Sequence, residues 1–64
     1  MTYVEATARR TDLGWRGRIV TQGGIVFEAP VDRLTRADAL ADASDERELA
    51  QRTGTTCFNP YRYD

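Results

Sequence analysis

Apolar and polar residues alternate twice near the start of the chain. Val4, Ala6 and Ala8 interleave with Tyr3, Glu5, Thr7 and Arg9, and Trp15, Gly17 and Ile19 interleave with Arg16, Arg18 and Val20. A period of two is the signature of a strand with one buried face. Between the two runs, Thr11-Asp12-Leu13-Gly14 predicts a tight turn, because Asp bonds its own backbone and Gly tolerates positive φ. Gln22-Gly23-Gly24 reads as a second turn, not a phosphate loop, since neither a helix N-terminus nor a Lys-Ser/Thr pair follows it. Ile25-Val26-Phe27 then predicts a third strand reaching Ala29, which Pro30 ends or confines to an edge. The meander spans residues 3–29.

The faces fix the register, because a slip of one residue turns every apolar side chain outward. Ala6 is expected opposite Ile19, Ala8 opposite Gly17, and Ile19 opposite Phe27. The inner face then reads Val4, Ala6, Ala8, Trp15, Ile19, Ile25 and Phe27. Gly17 with Ala8 leaves a depression into which a helix can settle. The outer face carries Arg9, Arg16 and Arg18, with Tyr3 and Glu5 toward the other end and Glu28 on the third strand.

Residues 35–53 predict a helix. Thr35 and Asp38 have capping-box spacing, and Gly54 is a stop signal. Ala37, Leu40, Ala43, Arg47 and Ala50 share one stripe while Leu49 projects nearly opposite; a kink near residues 44–46, or a partner for Leu49, reconciles the two. Leu40 and Ala43 are expected to meet the sheet. In the tail, residues 54–64, a short fourth strand is expected over 55–58 and a turn at Asn59 and Pro60. Phe58, Tyr61 and Tyr63 crowd its end, an aromatic density unlike that of disordered chain, so the tail is expected to pack on the domain or on another protein. The expected class is α+β: a three-stranded antiparallel meander with one helix on one face (βββα) and a short fourth strand in the tail, all in one domain, 1–64.

Composition narrows the function. The 64 residues are 41% hydrophobic, but eight of these positions are alanine, so the core is thin and self-association or an obligate partner is expected. One cysteine and no histidine exclude Cys/His metal centres and Ser-His-Asp triads. No catalytic residue, cofactor or metal is assigned, and the chain is not read as an enzyme. Cys57 lacks an activating neighbour and is expected as a small buried hydrophobe. Asp38, Asp42, Asp45, Glu46 and Glu48, interleaved with Arg36 and Arg47, are expected to form a solvated helix face. The net charge of −1 is not the basic balance of a phosphate-backbone binder, so nucleic-acid binding needs a local patch. No apolar run is long enough for a membrane span or signal peptide, and a cytoplasmic location is expected.

The strand order, with Trp15-Arg16-Gly17-Arg18-Ile19-Val20 ahead of Gly23-Gly24-Ile25-Val26 and Ala37-Asp38-Ala39-Leu40-Ala41-Asp42-Ala43 on the helix, resembles small prokaryotic βββα domains of the YegP-like kind. Over the same residues, about 3–43, it is similar to the N-terminal half of HicB-like antitoxins. Those usually carry a DNA-binding module as well, for which 64 residues leave no room. Some phage anti-CRISPR proteins are similar in size and fold, which implies that a stand-alone βββα chain works by occupying another protein's nucleic-acid site. The expected function is a small non-enzymatic inhibitor or adaptor that binds another protein, of phage or mobile-element origin. Arg9, Arg16, Arg18, Phe58, Tyr61, Arg62 and Tyr63 are the expected partner-binding residues, and a homodimer is expected as a further association. The alternative is a nucleic-acid-binding or antitoxin-like regulator using the face of Arg9, Arg16 and Arg18.

Overall fold

The computed structural model describes residues 3–60. Strands β1 (Tyr3–Thr11), β2 (Gly14–Thr21) and β3 (Val26–Glu28) precede helix α1 (Arg36–Thr53), and a two-residue strand β4 (Asn59–Pro60) follows it. The sheet is antiparallel in the order β1-β2-β3-β4, with α1 packed across β1 and β2, a small α+β domain.

The register follows the alternation. Ala6 faces Ile19, Ala8 faces Gly17 and Ile19 faces Phe27, and the first turn closes with Thr11 opposite Gly14. Ile19 is fully buried at the centre of the core with Tyr3, Ala29, Ala43, Ala50 and Phe58, flanked by Ala6 and Phe27. At both ends of the sheet the inner face departs from the expected set. A bulge between Tyr3 and Glu5 shifts the pairing, so Tyr3 sits opposite Thr21 and turns inward, 3% exposed, while Val4 is left 45% exposed. The larger ring closes this end of the core against Phe27, with ring centroids 6.0 Å apart. Ile25 lies beyond the last pair, Val20 with Val26, and its N–H and C=O are held by the Thr21 hydroxyl and amide; it too is half exposed.

Pro30 ends β3 as expected, but the chain rejoins β2 three residues later. Ala29 N–H donates to the Gly17 carbonyl, and Trp15 and Arg33 exchange both main-chain hydrogen bonds, so residues 30–32 loop out opposite Arg16. That loop carries Asp32 toward the outer face, where Thr11 and Arg16 meet it.

Helix α1 starts where its cap dictates. The Thr35 hydroxyl accepts from Asp38 N–H, and Gly54, at φ 83°, ends the helix by donating to the Ala50 carbonyl. It runs unbroken through residues 44–46. The buried stripe is Ala39, Ala43, Glu46 and Ala50; Ala37 is exposed and Leu40 only partly covered, so the helix is turned relative to the expected stripe. Gly17 is the physical reason. A Cβ there would stand 2.5 Å from the Ala39 carbonyl oxygen and 3.2 Å from the Ala43 methyl, so the helix backbone rests nearly on the strand and only small side chains fit between. Beyond Gly54, residues 55–58 are irregular and the fourth strand forms at Asn59 and Pro60, opposite Glu28 and Phe27. Phe58 must drop into the core before the chain can pair, which displaces the strand past the expected segment.

Two substitutions test this packing in urea denaturation. Gly17→Ala is expected to cost ~1–3 kcal/mol by overpacking the helix contact. Tyr3→Ala is expected to cost ~3–5 kcal/mol, whereas Val4→Ala stays within about 0.5 kcal/mol. Equal losses at Tyr3 and Val4 would show that the bulge does not set the inner face.

Candidate functional site

The outer face of the sheet concentrates charge. Arg9 lies directly opposite Arg16, a like-charge pair that destabilises a sheet unless something neutralises it. Glu28 does so from β3, where it is opposite Arg18. Its side chain is 9% exposed and receives three guanidinium groups: Arg9 through Nε and Nη2 at 3.0 and 3.1 Å, Arg16 through Nη1 at 3.2 Å, and Arg18 at 3.4 Å. Arg16 bridges onward to Asp32 at 2.8 Å, and the Thr11 hydroxyl donates to the other Asp32 oxygen.

This geometry sets the protonation states. Burial pushes the Glu28 carboxyl up, but the hydrogen bonds and charges of Arg9 and Arg16 together outweigh it, leaving Glu28 below its ordinary value. Asp32 is held low by its hydrogen bonds from Arg16 and then Thr11, and the same Asp32 contact raises Arg16. The three arginines that the sequence singles out are therefore brought together, with their guanidinium groups directed onto carboxylates. Phe58 is placed in the core, 8% exposed. Tyr61, Arg62 and Tyr63 lie outside the described residues.

A second feature lies on the helix side. An open groove of about 280 Å³ runs between α1 and the chain leaving β3, with Ala29, Val31, Leu49 and Phe58 on its floor and Asp45 and the Arg33–Asp42 ion pair at its rim. Leu49 and Val31 are each about half exposed there. Leu49, off the main stripe in the sequence, thus lines a concave surface of mixed apolar and charged residues.

Glu46 departs from the solvated helix face expected of it. It is 8% exposed and accepts hydrogen bonds from the Thr56 hydroxyl at 2.6 Å and the Cys57 amide at 2.9 Å, fastening the tail to the helix. Burial raises its carboxyl, and the Thr56 and Cys57 hydrogen bonds overcome that and leave it below its ordinary value. Its helical position, in phase with Ala39, Ala43 and Ala50, is the one sequence signal of its burial. Cys57 is exposed rather than buried, and its thiol is pushed up first by the hydrogen bond to Glu46 and then by burial, away from the thiolate form a nucleophile needs. Asp42 pairs with Arg33, and Glu48 approaches Arg52 across one helical turn. Among the described residues no cluster of three or more Cys, Asp or Glu could hold a metal ion, and no helix is long and apolar enough to cross a membrane.

No family model, curated protein or solved structure matches this chain.

The carboxylate network gives a pH prediction. Glu28 and Glu46 have folded-state values below 4.5 and Asp32 below 3.8, so their stabilisation is complete above those unfolded-state values and is lost as pH falls through the folded ones. Urea midpoints followed from neutral pH to about pH 2 should drop on the acid side. Glu28→Gln should cost about 3 kcal/mol at neutral pH, because it strands the guanidinium groups, and should shallow the acid drop. An unchanged acid limb in that variant would mean that Glu28 does not carry the pH dependence.

Proposed function

We propose that this chain is a small non-enzymatic protein-binding module, an inhibitor or adaptor of the anti-CRISPR-like kind, acting in the cytoplasm on a protein that handles nucleic acid. The observation that supports this most is the groove lined by Val31, Leu49, Ala29 and Phe58, which brings two exposed large hydrophobics together in one concavity. Exposed apolar area gathered into a concavity and rimmed by charge is the usual form of a protein contact. With Asp45 at the rim and Leu49 on the floor, the groove suits an apolar anchor flanked by an arginine or lysine, the side chains found on nucleic-acid-binding surfaces. Tyr61, Arg62 and Tyr63 are proposed to extend the same contact, since the chain reaches them directly from β4. Tyrosine and arginine are the residue types that dominate contact energetics.

Nucleic-acid binding through Arg9, Arg16 and Arg18 ranks below this reading. A phosphate reaching these groups has to displace the Glu28 and Asp32 carboxylates that they already contact.

The test is affinity capture from the host, run in parallel with wild type, Leu49→Arg and a chain lacking residues 61–64. The expected result is one protein retained by wild type and lost with Leu49→Arg, at least tenfold weaker, with the melting curve of the variant unchanged. Oligonucleotide titration of wild type at physiological salt should show no binding. Tight binding that falls steeply as salt rises would reverse the ranking in favour of the arginine face.

A further inference from the structure

Among the described residues, β1 presents a sheet edge with no strand beyond it, along which only the main-chain groups of Tyr3 and the Arg10 carbonyl meet side chains, those of Gln51, Arg47 and Arg9. β1 is a terminal strand of the sheet and has neither proline nor lysine; its edge devices are the bulge at Val4 and the charges of Glu5, Arg9 and Arg10, which leave Ala6 to Ala8 between them open to pairing. The direction of its free groups follows from its partner strand. Trp15 and Gly17 direct their main-chain hydrogen bonds away from β1, to Arg33 and Ala29, so the pairs Arg10 with Trp15 and Ala8 with Gly17 are the non-hydrogen-bonded ones. By the same alternation Ala6, Ala8 and Arg10 point their N–H and C=O groups outward from the sheet, the Arg10 carbonyl accepting from the Arg9 guanidinium.

We infer that this edge pairs with β1 of a second copy, antiparallel about a twofold axis at Thr7, to make one continuous sheet across the dimer. The sequence of the edge is self-complementary in that register alone. Thr7 faces Thr7 of the other copy, Ala6 exchanges hydrogen bonds with Ala8, and Glu5 lands opposite Arg9 on both sides of the axis. About four main-chain hydrogen bonds form between the two Ala6–Ala8 pairs, while the Thr7 and Glu5–Arg9 pairs occupy the closer, non-hydrogen-bonded sites where side chains interact most. Moving the axis to Ala6 or Ala8 loses the charge match. Arg9 already holds Glu28, and its guanidinium also reaches within 3.5 Å of the Arg10 carbonyl at the rim of the sheet, so the incoming Glu5 adds a second carboxylate to a cation standing at the edge.

The surrounding surface accommodates the pairing. Ala6 and Ala8 present only methyl groups on the inner face, and the bulge at Val4 bounds the paired segment at one end. Helix α1 lies over β1 and β2 alike, so the twofold sets the two helices roughly 10 Å apart, an ordinary packing distance, with Arg47, which donates to the Tyr3 carbonyl, on the β1 side. This contact is at the opposite edge of the sheet from the Leu49 groove, so it neither depends on nor competes with the partner proposed above.

Sedimentation velocity over a concentration series, on the full chain, reads the association directly. Wild type is expected to pass from monomer to dimer, and Glu5→Arg, which sets arginine against Arg9, is expected to weaken the dimer at least tenfold. A second variant keeps the test independent of Glu5: Thr7→Cys with Cys57→Ser should form an intermolecular disulfide rapidly on mild oxidation, because the two residues at position 7 face each other at the axis. Asn59→Cys with Cys57→Ser, at the far edge, should oxidise slowly. Wild type that stays monomeric at every concentration, or a dimer indifferent to Glu5→Arg whose position 7 does not cross-link, would overturn the inference. The second result would place the contact on another face.

Discussion

The closeness of α1 to β2 at Gly17 governs the rest of the molecule. With no side chain at that position, the helix backbone comes down onto the strand, and the helix residues that meet it there are alanines, Ala39 and Ala43. Close layers give many short contacts over a small area, which suits a chain with few large apolar residues. The consequence is that bulk is pushed to the margins: Tyr3 and Phe27 at one end, Phe58 under the returning tail, and Trp15 beside the helix entry with Arg10 over its ring at 5.9 Å. Leu49 and Val31 then have no place inside, and the groove follows from the same constraint.

Two carboxylates perform the joining that a larger core would perform in a bigger domain. Glu28 draws the outward arginines of β1 and β2 onto β3, and Glu46 ties α1 to the segment before β4. Each is satisfied by several donors, the condition under which burying a charge is tolerated. Both links are directional, so they fix which strands neighbour which in a way that alanine contacts alone do not.

Much of the fold was readable from the chain because a period of two and a turn of defined length leave one register. Ala6 with Ile19 and Ile19 with Phe27 follow from these alone. The exchange of Tyr3 for Val4 was not readable, since a bulge adds one residue without any marker in the local pattern. The hydrophobicity of Leu40 points the helix stripe toward that residue, but the close approach at Gly17 admits only small side chains and turns the helix onto Ala39 and Ala43 instead. Arg9, Arg16, Arg18 and Glu28 were correctly gathered on one face, but alternation says nothing of whether charges look outward or at one another. The helical phase of Glu46 with Ala39, Ala43 and Ala50 points to its burial, but its partners Thr56 and Cys57 lie ten and eleven residues away, where no local pattern reports them.

The shortness of β4 bears on how the domain opens. The β1–β2 hairpin is held by neighbouring sequence, but β4 reaches β3 only after the whole of α1 has intervened and Glu46 has captured the segment ahead of it. Contacts of large sequence separation form late, and a two-residue strand at an edge has little to resist fraying. Residues 55–60 are therefore expected to open before the β1–β2 hairpin does. Release of that segment would uncover Phe58 and the β3 edge together, so the same few residues both close the core and cap the sheet.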